Sequence, residues 1–179
     1  EAEDRYSFKT HKMGSISSSE TIRRVIRTGA KSALVLTSGG IRTTNDLIDY
    51  PWWQTSQNNL KDTVDLAIRD PYALDTLTGS YVIRKSGTTY SLNRINYQTS
   101  EALILSSKTE LRRVGIAGSK LLVLSGDALM EYPGLPTTGV VLTSFNRLSP
   151  ELGVGVNDFA VDGNYVYVAT EKGFCKYSF

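Results

Sequence analysis

Cysteine and histidine are nearly missing: the 179 residues hold one of each, Cys175 and His11. A lone cysteine excludes an intrachain disulfide and leaves the redox compartment unread, so localisation stays unknown. The two residues together cannot furnish a His/Cys metal site. They lie at opposite ends of the chain, which argues against a Cys-His nucleophilic pair. No metal and no cofactor is therefore expected. Long hydrophobic runs are also lacking, none approaching the roughly 18 residues a membrane-spanning helix requires. No apolar leader-like stretch follows Glu1, and the missing initiator methionine leads to the expectation of a processed product or an excised piece. Nor is there an excess of one charge. Twenty Lys and Arg against 18 Asp and Glu leave +2, which argues against nucleic acid as the partner. What is present is ordinary globular stock: 40% hydrophobic and 21% charged residues exclude wholesale disorder. A chain of this length is expected to form one domain, burying roughly 70% of its unfolded surface without covalent staples.

The sequence also carries an internal pattern. Gly118–Tyr132 and Gly163–Tyr177 align without gaps at an offset of 45, Gly meeting Gly and Tyr meeting Tyr. Each reads as a turn, an apolar strand, a second turn and another strand. Weaker copies start at Ile22 and Val64. Anchored on Ile26, Ile68, Ile116 and Val161, the spacings are 42, 48 and 45. The spacing predicts four units near 22–63, 64–110, 111–155 and 156–179. Each unit is expected to supply an inner strand (Arg23–Arg27, Asp65–Arg69, Arg113–Ala117, Asp158–Asp162), then a second (Ala33–Thr37, Tyr72–Thr76, Leu121–Ser125, Tyr165–Ala169). A third follows (Ile41–Thr44, Tyr81–Lys85, Ala128–Tyr132, Phe174–Ser178). A fourth is expected at Leu47–Tyr50, at Thr89–Leu92 or Ala102–Leu105, and at Gly139–Thr143. The last unit ends after its third strand, and Arg5–Thr10 is the expected closing strand. Helix formers compete at 18–27 and 59–68, but the repeat favours strand at both.

A period of 40 to 50 residues with four short strands per unit suits a sheet that is apolar on both faces and must be sandwiched by its neighbours. The stretch Val156–Tyr177 carries a hydrophobic strand pair around Asp162-Gly163-Asn164 and leads into a Gly-aromatic third strand. It resembles a blade of the β-propeller superfamily. The likeness extends moderately to Arg113–Tyr132 and weakly to the first two units, with no subfamily motif. It implies an all-β fold of short antiparallel strands: a four-bladed propeller, or half of a larger one completed by a second copy or a missing chain segment.

Three residues before the anchors stand Arg23, Asp65, Arg113 and Asp158, alternating in sign. On adjacent inner strands they would form ion pairs near an axis, closing the channel mouth or binding a small anion or a partner's side chain. One residue before the anchors stand Val25, Ala67, Gly115 and Ala160, all small. The segment Pro51–Asn59 holds both tryptophans, and Tyr50, Trp52 and Trp53 are the candidate recognition aromatics. The loops Tyr132–Gly139 and Asn146–Gly155 are further candidates. No catalytic set is identified. The reading is a non-catalytic interaction module presenting loops to a protein or glycan partner. One alternative is a propeller-type hydrolase or lyase with carboxylates at the blade mouths. Another is a structural component of a virion or appendage assembled by symmetry.

Overall fold

Short runs of β-branched and aliphatic residues, broken every five to seven positions by turn residues, set the elements. The computed structural model describes residues 19–27, 33–44, 54–57, 62–69, 78–96, 101–137, 146–148 and 155–179. Among these residues there is no helix, and the strands form four antiparallel sheets. The first sheet runs β1 (Ile22–Arg27), β2 (Ala33–Thr37), β3 (Gly40–Thr44), β4 (Gln54–Gln57). The second runs β5 (Thr63–Ala67), β6 (Tyr81–Ser86), β7 (Thr89–Ile95), β8 (Glu101–Ser107). The third runs β9 (Leu111–Ala117), β10 (Lys120–Ser125), β11 (Ala128–Tyr132), β12 (Asn146–Leu148). The fourth has three strands, β13 (Val156–Asp162), β14 (Tyr165–Thr170) and β15 (Gly173–Ser178). At β1 and β5, where helix formers compete, strand prevails. Ile22, Val25 and Ile26 suit a pleated ladder, and pairing with the wholly buried β2 outweighs local propensity.

Several expected boundaries shift. Tyr81–Ser86 pairs directly with β5, so it is the second strand of its sheet and not the third. Thr89–Ile95 and Glu101–Ser107 are then the third and fourth. The repeat predicts a turn between Arg69 and Tyr72, whereas β5 and β6 are separated in sequence by residues 68–80. The fourth strands of the first and third sheets are Gln54–Gln57 and Asn146–Leu148, both inside stretches read as loops. Their polar composition carries no alternation to detect. The expected strands Arg5–Thr10, Leu47–Tyr50, Tyr72–Thr76 and Gly139–Thr143 lie outside the described residues.

Turn chemistry repeats between sheets. Thr37 Oγ1 donates to Gly40 O and accepts from the Gly39 amide, at 3.0 and 3.1 Å. Thr170 Oγ1 donates to Gly173 O and accepts from the Lys172 amide, at 3.0 and 3.2 Å. Gly40 and Gly173 sit at φ 125° and 133°, where a side chain would be strained.

The sheets pack face to face in chain order through three apolar clusters. Leu34, Leu36 and Ile41 of the first sheet meet Leu66, Val82 and Ile95 of the second. Tyr81, Ile83 and Leu92 of the second meet Val114, Leu121 and Val123 of the third. Leu122, Leu124 and Leu129 of the third meet Phe159, Val166 and Val168 of the fourth. The first strands consequently lie in a row, β1 against β5, β5 against β9 and β9 against β13. Gly115 leaves no room for a side chain where β9 meets β13: a Cβ there would stand 2.6 Å from the Phe159 ring and 3.0 Å from Val161. The loop after β11 folds back on this core, with Leu135 packed against it and the buried Tyr81 hydroxyl donating to Pro136 O at 2.8 Å.

Candidate functional site

Each first strand carries a bulge, at Arg23, Val64, Arg112 and Asn157. An inserted residue twists the strand and re-aims the next side chain. The residues that follow are Arg24, Asp65, Arg113 and Asp158, and they meet in a line. Asp65 is 2% exposed. Arg24 Nη1 donates to both of its oxygens at 2.9 Å, and the Val114 amide donates to Oδ2 at 2.9 Å. Arg113 Nη1 lies 3.9 Å from Asp65 Oδ1. Arg113 then grips Asp158 with two bonds, Nε to Oδ1 and Nη2 to Oδ2, each 2.7 Å. Burial pushes the Asp65 carboxyl up, against the pull of Arg24 and the Val114 amide. The Arg113 hydrogen bonds hold Asp158 below the usual carboxylate value, and the Asp158 contact raises Arg113.

Three of the four charges expected in this line are there, and the fourth position belongs to Arg24. The spacing pointed to Arg23, but Arg23 is the bulged residue and donates from Nη1 to Thr63 O instead. A bulge inserts one residue that gapless alignment cannot register. The small-residue series shifts with it: Ala67, Gly115 and Ala160 align with Ile26, not with Val25.

The line ends at the fourth sheet, whose one face packs on the third sheet while the other meets solvent. Tyr167, Ala169 and Phe174 occupy the register positions that Leu122, Leu124 and Leu129 hold in the third sheet. In the third sheet these positions are buried; in the fourth, Phe174 is 85% exposed and Tyr167 40%. Lys176 lies on the same face, its Nζ 3.8 Å from the centroid of the Tyr165 ring. A cleft of about 410 Å³ runs over this surface, lined by Ala160, Tyr167, Ala169 and Phe174 and, at its ionic side, by Arg24, Arg113 and Asp158. No sequence argument singled out these aromatics. The signal was the alternation Tyr165-Val166-Tyr167-Val168, which places rings on one face and valines on the other.

A second cleft, about 370 Å³, lies where the first three sheets meet and is strongly polar. Its lining includes Arg23, Asp62, Lys85, Tyr90 and Glu110. Nearby Thr63 is fully buried, and its Oγ1 has no hydrogen-bond partner among the described residues. Among the described residues no group of three His, Cys, Asp or Glu is placed to hold a metal ion, and no helix is long and apolar enough to cross a membrane. Tyr50, Trp52 and Trp53 lie outside the described residues. No protein-family model matches the chain, and no curated protein matches it.

Proposed function

We propose that the chain is a β-propeller-type module, four repeated blades or half of a larger propeller, and that it works by binding. In this reading a rigid β scaffold engages a protein or glycan partner through the open face of its fourth sheet and through the segment bearing Tyr50, Trp52 and Trp53. Support for the architecture comes from the chain-order packing of the sheets and from the bulged first strands that bring alternating charges into one line. The observation that carries the binding role is Phe174, 85% exposed on the sheet face that also bears Tyr165 and Tyr167. Rigid amphipathic rings lose little entropy on contact and dominate recognition surfaces. Protein carrying Phe174→Ser should keep its circular dichroism spectrum and lose partners or glycans that the unaltered protein retains from its native source. Equal retention by both proteins would overturn the reading.

The hydrolase or lyase alternative has one observation in its favour, the meeting of Asp62 and Glu110 with Arg23 and Lys85 in the polar cleft. It requires a pH–rate profile that Asp62→Asn with Glu110→Gln erases.

A further inference from the structure

We infer that the cleft on the fourth sheet is a site for an extended, acidic and apolar peptide segment of a partner protein. Its carboxylate would be taken by Arg24 and its apolar side chains by Tyr167, Ala169 and Phe174. The inference rests on the binding role proposed above and gives the chemistry of what is bound.

The charges of the lining decide the sign of the ligand. Two guanidinium groups and one carboxylate border the cleft. Arg113 is engaged with that carboxylate, Asp158, through two parallel bonds. Arg24 spends Nη1 alone, on Asp65, Leu66 O and Val114 O; its Nε and Nη2 have no hydrogen-bond partner among the described residues. Lys176 adds a further positive charge on the same face, resting over the Tyr165 ring. A neutral apolar occupant would strip water from the remaining Arg24 donors without replacing it, which is costly. A basic one would meet Arg24 and Lys176, while the carboxylate of the lining, Asp158, already has both oxygens bonded to Arg113. A carboxylate supplies acceptors in the planar geometry a guanidinium prefers.

The floor decides the body of the ligand. Its positions are those that bury large apolar side chains between the other sheets, such as Leu36, Ile83 and Leu124, so the face is shaped to receive apolar side chains. In the fourth sheet aromatic and small residues stand there, and Tyr167, Phe174, Ala160 and Ala169 line the cleft. A volume of about 410 Å³ is at the lower end for a compact ligand and takes the side chains of a few extended residues. The first sheet is not the natural cover, because Ala33 and Val35, which occupy the facing positions there, are already buried at 2% and 0% exposure.

The test is a fluorescence titration of the whole protein at low salt with two labelled, blocked hexapeptides, one alternating leucine with glutamate and the other leucine with glutamine. The glutamate peptide should bind about tenfold more tightly, the worth of one charge-assisted hydrogen bond. Its advantage should shrink as salt is raised. Arg24→Lys keeps a cation for Asp65 and should bring the two peptides to within about twofold of each other. Phe174→Ser, at an exposed position, should weaken both in parallel and leave their ratio unchanged. Equal binding of both peptides to the unaltered protein, abolished by Phe174→Ser, would overturn the acidic preference while leaving the face a binding surface. Binding indifferent to Phe174→Ser, or no binding of the glutamate peptide at millimolar concentration, would overturn both. Self-association lost with Phe174→Ser, seen by sedimentation, would assign the face to a second copy and also overturn the inference.

Discussion

Asp65 lies at 2% exposure with Arg24 on one side and Arg113 on the other, so its charge is balanced and its oxygens are occupied. Replacing it by Asn keeps the shape but leaves two guanidinium groups without their shared carboxylate. Removing one partner of a buried ion pair costs about 3 kcal/mol, but burial already disfavours the charged Asp65 carboxyl, so urea unfolding of Asp65→Asn, which has the shape of the neutral acid, should show a smaller loss than that. Arg23→Ala removes a single bond to a carbonyl and should cost well under half of the ion-pair figure. Asp158 and Asp65 differ in their response to acid. Asp158 is held below its ordinary value by Arg113, so its contribution is complete above the unfolded value of about 4 and is lost as pH falls through the folded one. Asp65 is pushed the other way by burial; its protonated form suits the fold, and it opposes stability as pH rises from the unfolded value through the raised one. Unfolding midpoints measured from neutral pH downward should therefore decline less steeply below about pH 4 in Asp158→Asn than in the unaltered protein.

Among the elements, β9 and β13 meet where Gly115 has no room for a side chain. Gly115→Ala places a methyl group against the Phe159 ring and Val161. Overpacking of this kind costs about 1–3 kcal/mol, and Phe159→Leu in the same chain should recover part of it. Thermal or urea unfolding of the two variants and their combination measures the recovery, and strict additivity would mean that the side chains do not meet. Strands of this sort were legible where alternation and turn glycines coincide. The hairpins β9–β10–β11 and β13–β14–β15 are legible to within two residues at each strand end, because Gly118, Gly126 and Gly163 punctuate Leu121–Leu124 and Tyr165–Val168. Gln54–Gln57 and Asn146–Leu148 are not, since their polar side chains give no period. Of the site, Asp65, Arg113 and Asp158 were legible from their common spacing. Arg24 was displaced by a bulge, which depends on backbone geometry that composition does not encode. The aromatic face escaped notice because exposure of Tyr167 and Phe174 depends on which neighbour a sheet lacks.

In the whole molecule, burial is uneven along the chain. The second and third sheets are sandwiched between apolar clusters, while the fourth is covered on one face. Amide exchange should accordingly be slowest in β6, β10 and the strands beside them and faster in β14 and β15, where opening exposes less apolar surface. A mass-spectrometric exchange series would reveal this gradient; uniform protection would mean that all four sheets open together. Arg24, Asp65, Arg113 and Asp158 carry one further implication. Reading plus, minus, plus, minus, the line has a cationic head and an anionic tail, so it contributes a permanent electric dipole to a particle whose net charge is small. That moment would orient the molecule in an applied field, and in dilute buffer it would bias approaching molecules toward head-to-tail alignment. Both the alignment and its reach should fade once the screening length drops to about 10 Å near 0.1 M salt.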